Sequence, residues 1–335
     1  MAKYVCTVCG WMRPGFYMDG EMVLSWDEMK EMGYAEVQED GRLLEVSGNL
    51  DGLLVIGEDV TKLDGNLYSL FKGTPLQEVW IPRTVTDLGR YLVAGTSIRE
   101  VRLFCPVTVL QNNAFSESLN NPACLESVWL PDTLVEIGNN AFEKCTALTH
   151  LDLPASVEKL GYAFIYDNGL TSLQLPPHLK DVSSAFYSSR LQQVILPATV
   201  EKIGSFSYCD ASVIDLSATQ VTAIPDKCFQ YCYNLETLRL PAGLQTFGYG
   251  CFADNRSLKQ LELPDGLKSL GNTWLENIET LVWPVSLIDV NGHQPEHLST
   301  IYYRGTEKQW KLNGANNKWD LSGVTVICNF TGTLD

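Results

Sequence analysis

Residues 125–164 read LESVWLPDTLVEIGNNAF, then EKCTA, then LTHLDLPASVEKLGYAF, so one short segment is written twice in succession. Each copy has an apolar alternation, a proline, a second apolar pair, a glycine and an Ala-Phe element. The prolines are spaced by 23, 22 and 21 residues from Pro131 to Pro197. Repetition at this period predicts a solenoid, in which each coil packs only on its neighbours. The repeated prolines are Pro82, Pro131, Pro154, Pro176, Pro197, Pro241, Pro264 and Pro284.

Each element of the repeat has a structural reason. The period of two in Val128-Trp129-Leu130 predicts a short strand whose middle residue faces solvent. Proline lacks the N–H that would continue the ladder, so each strand should end there. The glycine permits a tight or left-handed backbone. The phenylalanines should stack into a buried spine, which consists of Phe115, Phe142, Phe164, Phe186, Phe206, Phe229 and Phe252.

The pattern Leu-x-x-Leu-x-Leu-Pro-x-x-Leu-x-x-Ile-Gly-x-x-Ala-Phe resembles the BspA-like leucine-rich repeats of bacteria over roughly residues 50–305. The resemblance implies a leucine-rich repeat solenoid of right-handed parallel β-coils. We expect about twelve coils of roughly 20 to 25 residues, capped at both ends. For many relatives it also implies a surface protein that contacts host proteins or other cells.

Both ends carry helix-start signals, which predict caps over the exposed core of a solenoid. Ser25-Trp-Asp-Glu28 is a capping box that should open a short helix, and Thr306 with Gln309 repeats the signature. Trp310 is a candidate plug, and residues 324–327 should add a closing strand. We therefore predict an N-terminal cap at residues 1–50, a solenoid at 51–304 and a C-terminal cap at 305–335.

The charge balance excludes one class of partner. The chain has 24 Lys plus Arg against 40 Asp plus Glu, a formal net charge of −16, which repels nucleic acid phosphates. No apolar run approaches the ~18 residues of a membrane span, and the first residues lack the apolar stretch of a secretory signal. If that start is native, we expect a cytoplasmic protein; the alternative is a cell-surface or secreted one.

The cysteines fall into two groups. Most occupy repeat positions, such as Cys145 and Cys228, and are expected to be small buried hydrophobes. Cys6-Thr-Val-Cys9-Gly resembles the first half of a rubredoxin-like or zinc-ribbon motif and could hold zinc or iron. The second Cys-x-x-Cys that would complete four ligands is missing, so a relic without metal is the favoured interpretation. We expect no cofactor.

The sequence favours a non-enzymatic protein. It has no nucleophile elbow, phosphate loop, zinc-protease or calcium-loop motif. Carboxylate pairs on the sheet face are at or past the limit for glycoside hydrolysis, which requires a separation of ~5 to 9.5 Å. Asp152 and Asp215, three strands apart, should be separated by ~14 Å, and Glu262, two strands beyond Asp215, should lie roughly 10 Å from it.

The leading functional hypothesis is a scaffold that binds a protein partner, a host or cell-surface protein among the candidates, on the curved sheet. Trp80 and Trp129 should lie about 10 Å apart with Arg102 between them, and these residue types dominate interface energies. A cap or the insertion at residues 116–122 could instead cover this group.

Two other functions are possible alternatives. One is a carbohydrate-binding module that uses exposed aromatics, and the other is a metal- or redox-linked protein that uses the N-terminal cysteines. The predicted partner-binding residues are Trp80, Arg102, Trp129, Asp152, Asp215, Arg239 and Tyr302. The other middle-of-strand residues are Val55, Gln174, Ile195, Glu262 and Val282.

Overall fold

The structure is a computed structural model that describes residues 12–63, 70–117, 124–292 and 294–334. The fold is a β-solenoid of about 12 parallel coils, which confirms the predicted fold class. The chain divides into two compact units, Met1–Pro176 and Pro177–Asp335, which are called unit 1 and unit 2 below.

Unit 1 has one main sheet with the strand order β10-β8-β7-β5-β1-β2. Strands β5, β7, β8 and β10 are parallel, and β1 pairs antiparallel with both β5 and β2. Two-residue strands form a second parallel ladder, β9-β11-β12. The elements of unit 1 are β1 (Gly15–Met18), β2 (Glu21–Ser25), α1 (Trp26–Glu31), β3 (Ala35–Val37), β4 (Arg42–Val46), β5 (Leu53–Val55), β6 (Lys62–Leu63), β7 (Glu78–Ile81), β8 (Glu100–Leu103), β9 (Val109–Leu110), β10 (Ser127–Trp129), β11 (Glu136–Ile137) and β12 (Lys159–Leu160).

Unit 2 repeats the arrangement. Its parallel ladders are β14-β16-β18 and β20-β21-β22-β23, with two-residue ladders β13-β15 and β17-β19. The elements of unit 2 are β13 (Asp181–Val182), β14 (Gln193–Ile195), β15 (Lys202–Ile203), β16 (Val213–Asp215), β17 (Ala223–Ile224), β18 (Thr237–Arg239), β19 (Thr246–Phe247), β20 (Gln260–Glu262), β21 (Thr280–Trp283), β22 (Thr300–Tyr303), α2 (Glu307–Leu312), a 3₁₀ turn (Gly314–Asn317) and β23 (Thr325–Ile327).

The phenylalanine spine is buried, as predicted: all seven rings are at most 3% exposed. In unit 1 the rings of Phe115 and Phe142 stack with centroids 5.4 Å apart. In unit 2 Phe229 stacks on Phe206 at 5.5 Å and on Phe252 at 5.7 Å. Because one ring recurs in each coil, these contacts couple neighbouring coils through the core.

The repeat glycines serve mainly to let neighbouring coils approach. The φ angle of Gly89 is +67°, which fits the predicted left-handed backbone. At Gly138, in contrast, φ is not positive, and a Cβ atom would lie 2.7 Å from the carbonyl oxygen of Leu110 in the preceding coil. A side chain there would push two coils apart, so close packing explains this glycine better than turn geometry does.

The N-terminal capping box is confirmed. Ser25 accepts from the backbone N–H of Glu28, and the Glu28 carboxylate accepts from that of Ser25. The helix that follows buries Trp26 and Met29, and the Trp26 indole N–H donates to Asp59 at 2.8 Å. Together with β1, which pairs with the edge of β5, this segment covers the first parallel strand.

The C-terminal features predicted from the sequence are also confirmed. Thr306 and Gln309 form a capping box at the start of α2. The ring of Trp310 packs against Trp283, with centroids 5.4 Å apart, and against Tyr303 at 4.9 Å. Strand β23 closes the sheet parallel to β22. The domain boundaries after residues 50 and 304 stay predictions.

Candidate functional site

Three side chains form a sandwich on the main sheet of unit 1. Trp80, Arg102 and Trp129 occupy the same register position on β7, β8 and β10. The guanidinium carbon of Arg102 lies 4.9 Å from the ring centroid of Trp80 and 5.0 Å from that of Trp129. One cation therefore contacts two indoles, and we call this group the Trp-Arg-Trp cluster.

Two carboxylates fix the position of Arg102. Its Nε lies 2.6 Å from Glu100 and 3.1 Å from Glu78, and the indole N–H of Trp80 donates to Glu78. Both glutamates lie two residues before the cluster positions, on the same face of their strands. These contacts hold the guanidinium in one position between the two indoles.

The cluster is exposed at one end. Trp129 is 58% exposed, whereas Trp80 is half-buried and packs on Phe104 with centroids 5.5 Å apart. Exposure therefore holds for Trp129, whereas Trp80 is partly covered by Phe104, which belongs neither to the N-terminal cap nor to the insertion. Residues 118–122 of that insertion lie outside the described residues. An indole left in solvent contributes little to folding, so packing alone does not account for Trp129.

The other predicted partner-binding residues lie outside this cluster. In unit 1, Asp152 is exposed and its carboxylate is 3.1 Å from His150. In unit 2, Asp215 and Arg239 face each other across β16 and β18 and form an ion pair at 3.5 Å. The Asp152 carboxylate contacts the His150 imidazole, and the Asp215 carboxylate pairs with Arg239. A ligand at either carboxylate would therefore compete with a contact within the chain.

The C-terminal tail covers part of the sheet of unit 2. Tyr302 is half-buried because the ring of Phe330 packs on it, with centroids 4.5 Å apart. The backbone N–H of Leu334 donates to Glu262, and Arg304 donates to the carbonyl of Gly332. The predicted exposure of Tyr302 therefore needs correction, since the chain itself occupies this surface.

Two middle-of-strand predictions are wrong. Val282 lies beside Tyr302 and Glu262 in the register and is fully buried. Val55 is only 8% exposed on β5, next to the cap strand β1. Both positions lie in the coils on which terminal segments pack, so the alternation of the strand does not decide their exposure.

A family model for the BspA type leucine rich repeat region matches residues 54–122, 118–219 and 162–282, more than half of the chain. The chain belongs to this family. The match supports the BspA part of the sequence resemblance and, because it starts at residue 54, gives no support to the zinc-ribbon half-motif. It does not support the cytoplasmic location predicted from the first residues. A search of curated proteins finds no match.

Several solved structures are similar to this BspA-type chain. A leucine-rich repeat protein from Bacteroides ovatus is 17% identical, with a TM-score of 0.49 and coverage of 88% of this chain and 97% of that one. A leucine-rich cell surface protein from Faecalibacterium prausnitzii is 19% identical, with a TM-score of 0.45 and coverage of 83% and 95%. The pneumococcal vaccine antigen PcpA is 17% identical, with a TM-score of 0.43 and coverage of 88% and 82%.

The repeat cysteines of this BspA-type chain are buried and carry free thiols, as expected. Burial raises the pKa of Cys209 to about 11 and that of Cys145 well above its usual value. A thiol in such surroundings stays protonated and unreactive near neutral pH. Cys6 and Cys9 lie outside the described residues, so the metal hypothesis stays a prediction.

Sequence reasoning missed the glutamates beside Arg102. The sequence contained a signal for them, since Glu78 and Glu100 precede the cluster positions by two residues and a strand places such residues on one face.

Two kinds of feature are absent from the described ranges. They contain no group of three or more His, Cys, Asp or Glu side chains suited to hold a metal, and no helix with the length and apolar character needed to cross a membrane.

Proposed function

We propose that this BspA-type protein is a non-enzymatic scaffold that binds a protein partner on its parallel sheet, with the Trp-Arg-Trp cluster as the energetic centre. One observation carries the proposal: Trp129 is 58% exposed while its inner face stacks on Arg102. Tryptophan and arginine are the residue types enriched among interface hot spots. A flat exposed indole held by a fixed cation offers a partner a large apolar contact at little entropic cost.

The surroundings favour a protein over a glycan at this position. The carboxylates of Glu78 and Glu100 contact the Nε of Arg102, so the acidic groups beside the cluster are already engaged and are not free to orient sugar hydroxyls. What it does offer is the outer surface of one indole, suited to an apolar or aromatic side chain of a partner. The carbohydrate-binding alternative needs a Trp or Tyr with free amide and carboxylate groups beside it.

The experiment is affinity capture from the native source with three baits. The first is the unchanged protein, the second is Trp129→Ala, and the third is Tyr249→Ala, a matched control that removes an aromatic ring 50% exposed in unit 2. We expect the partner to be retained by the first and third baits and lost from the second. Equal recovery on all three baits would refute the role of the cluster.

For the location, we propose display at the cell surface, which the family resemblance implies for many relatives. Treatment of intact cells with a protease, followed by immunodetection of the chain, tests this. Loss of the signal from intact cells supports surface display, whereas a signal that disappears only after lysis contradicts it.

A further inference from the structure

A second group of exposed aromatic residues lies in unit 2, on the turns that follow the phenylalanine spine. The ring of Tyr208 contacts Tyr187 with centroids 5.9 Å apart, edge to face, and stacks on Tyr231 at 4.8 Å. Tyr231 contacts Tyr233 at 6.0 Å, and the guanidinium of Arg256 lies 4.9 Å above the Tyr233 ring. These five residues form a continuous chain of contacts, which we call the tyrosine row.

The polar ends of the row are directed to solvent. Tyr208 is 45% exposed and Tyr233 is 42% exposed. Within the described part of the chain, the hydroxyls of Tyr208, Tyr231 and Tyr233 donate to no protein group, and the guanidinium of Arg256 has no carboxylate within 4.0 Å. The guanidinium of Arg256 is therefore open to a carboxylate from outside the chain.

The backbone gives no reason for tyrosine at two of these positions. Tyr208 and Tyr231 have φ angles of +61° and +62°, in the left-handed region that bulky side chains adopt at some cost. Ser188 and Asp254 hold the equivalent positions of other coils, also with positive φ. Small polar residues suit this conformation better. The backbone conformation therefore does not explain the rings, and that of Tyr208 remains partly exposed although it stacks on Tyr231.

The stacking decides which ligand the row fits. Since Tyr208 and Tyr231 stack at an interplanar angle of 29°, their facing ring surfaces are occupied, and Arg256 covers a face of Tyr233. A sugar ring stacks on an open aromatic face, so this arrangement is poorly suited to a glycan. Three kinds of group remain exposed. The ring edges carry partial positive charge, the phenol hydroxyls can donate hydrogen bonds, and the Arg256 guanidinium is a cation. All three favour anions and hydrogen-bond acceptors.

We propose that the tyrosine row is a docking surface for an acidic segment of a protein partner. The carboxylates of the segment pair with Arg256 and the tyrosine hydroxyls, and its apolar side chains pack between the rings. Screening at physiological ionic strength limits the opposing effect of the negative net charge to carboxylates within about 8 Å of the row. The row lies in unit 2 and shares no residue with the Trp-Arg-Trp cluster, so either proposal can fail without the other.

The test measures binding of fluorescein-labelled peptides to the full chain by fluorescence anisotropy. One peptide alternates glutamate and leucine, a matched one alternates lysine and leucine, and an oligogalacturonate represents an anionic glycan. We expect the chain to bind the Glu-Leu peptide, to bind the other two probes much more weakly, and to release the peptide as salt is raised.

Variants separate a specific surface from general charge. Arg256→Gln should weaken binding of the Glu-Leu peptide about tenfold, since a charge-assisted contact is lost. Arg83→Gln removes the same charge in unit 1, where the guanidinium already pairs with Glu58, and should change binding less than about twofold. The double variant Tyr208→Phe, Tyr231→Phe keeps both rings, removes two hydroxyls and should weaken binding about fivefold.

The proposal is overturned if the Glu-Leu peptide does not bind, or if the Lys-Leu peptide or the oligogalacturonate binds as tightly. It is overturned equally if Arg256→Gln and Arg83→Gln have the same effect. Circular dichroism of each variant checks that the fold is retained, and the tyrosine-to-phenylalanine variant supplies the result if Arg256→Gln does not fold.

Discussion

Removing one ring of the phenylalanine spine should destabilise unit 2 strongly. Phe229 is fully buried and stacks on Phe206 at 5.5 Å and on Phe252 at 5.7 Å. Phe→Ala in a core costs about 3 to 5 kcal/mol, and each aromatic pair adds about 0.5 to 1.5 kcal/mol beyond area burial. Because Phe229→Ala loses two stacking partners as well as its apolar contacts, we expect about 4 to 5 kcal/mol.

The assay is urea denaturation followed by circular dichroism, with native-state hydrogen exchange to locate the effect. Each coil packs on its neighbours, so faster exchange should concentrate in the coils that carry Phe206, Phe229 and Phe252. Ile288→Ala is the control, since Ile288 is 61% exposed and its truncation should change the unfolding free energy by less than about 0.5 kcal/mol. If Phe229→Ala cost less than about 1 kcal/mol, the spine would not hold the coils together.

Three further predictions concern titration, thiols and metal. Burial raises the pKa of Glu117 from 4.5 to about 6, so its contribution to stability is full below pH 4.5 and is lost as the pH rises through about 6. Compared with Glu117→Gln, the unchanged chain should lose on the order of 2 kcal/mol over that interval in urea denaturation, and parallel pH profiles would refute this. Iodoacetamide should modify half-buried Cys328 in the native protein and buried Cys145 only after denaturation, as judged by peptide mass spectrometry; native labelling of Cys145 would contradict its burial. Elemental analysis should find far less than one zinc or iron per chain, and a stoichiometric amount would instead assign the metal to Cys6 and Cys9.

Features encoded by adjacent residues were predictable from the sequence. The capping box of Ser25 and Glu28 depends on residues three apart, and the phenylalanine spine follows from a repeat that fixes each ring at the same point of its coil. The register that brings Arg102 between Trp80 and Trp129 follows for the same reason. Local rules suffice where each coil has a similar neighbour on both sides.

Features that depend on the chain ends were not predictable in this way. Tyr302 has the sequence of an exposed strand position, but Phe330, from the tail, packs on it. The alternation of apolar and polar residues in β22 does not indicate that a segment 28 residues further along the chain packs on this strand.

Contacts between coils at single positions were also not predictable. The reason for Gly138 is one example, since the atom that excludes a Cβ there belongs to Leu110 of the preceding coil. The tyrosine row was not predictable either, because Tyr187, Tyr208 and Tyr233 follow their spine phenylalanines by one, two and four residues and so share no single repeat position.

The dissociation constant of the captured partner for Trp129→Ala, measured together with the unfolding free energy of the same variant, tests the central claim most directly. The variant should bind about 30-fold more weakly, equivalent to about 2 kcal/mol. Its stability should fall by less than about 1 kcal/mol, because Trp129 is 58% exposed and its ring contact with Arg102 is a cation–π contact at the surface. Unchanged affinity together with a large loss of stability would contradict the account, since Trp129 would then serve the fold and not a partner.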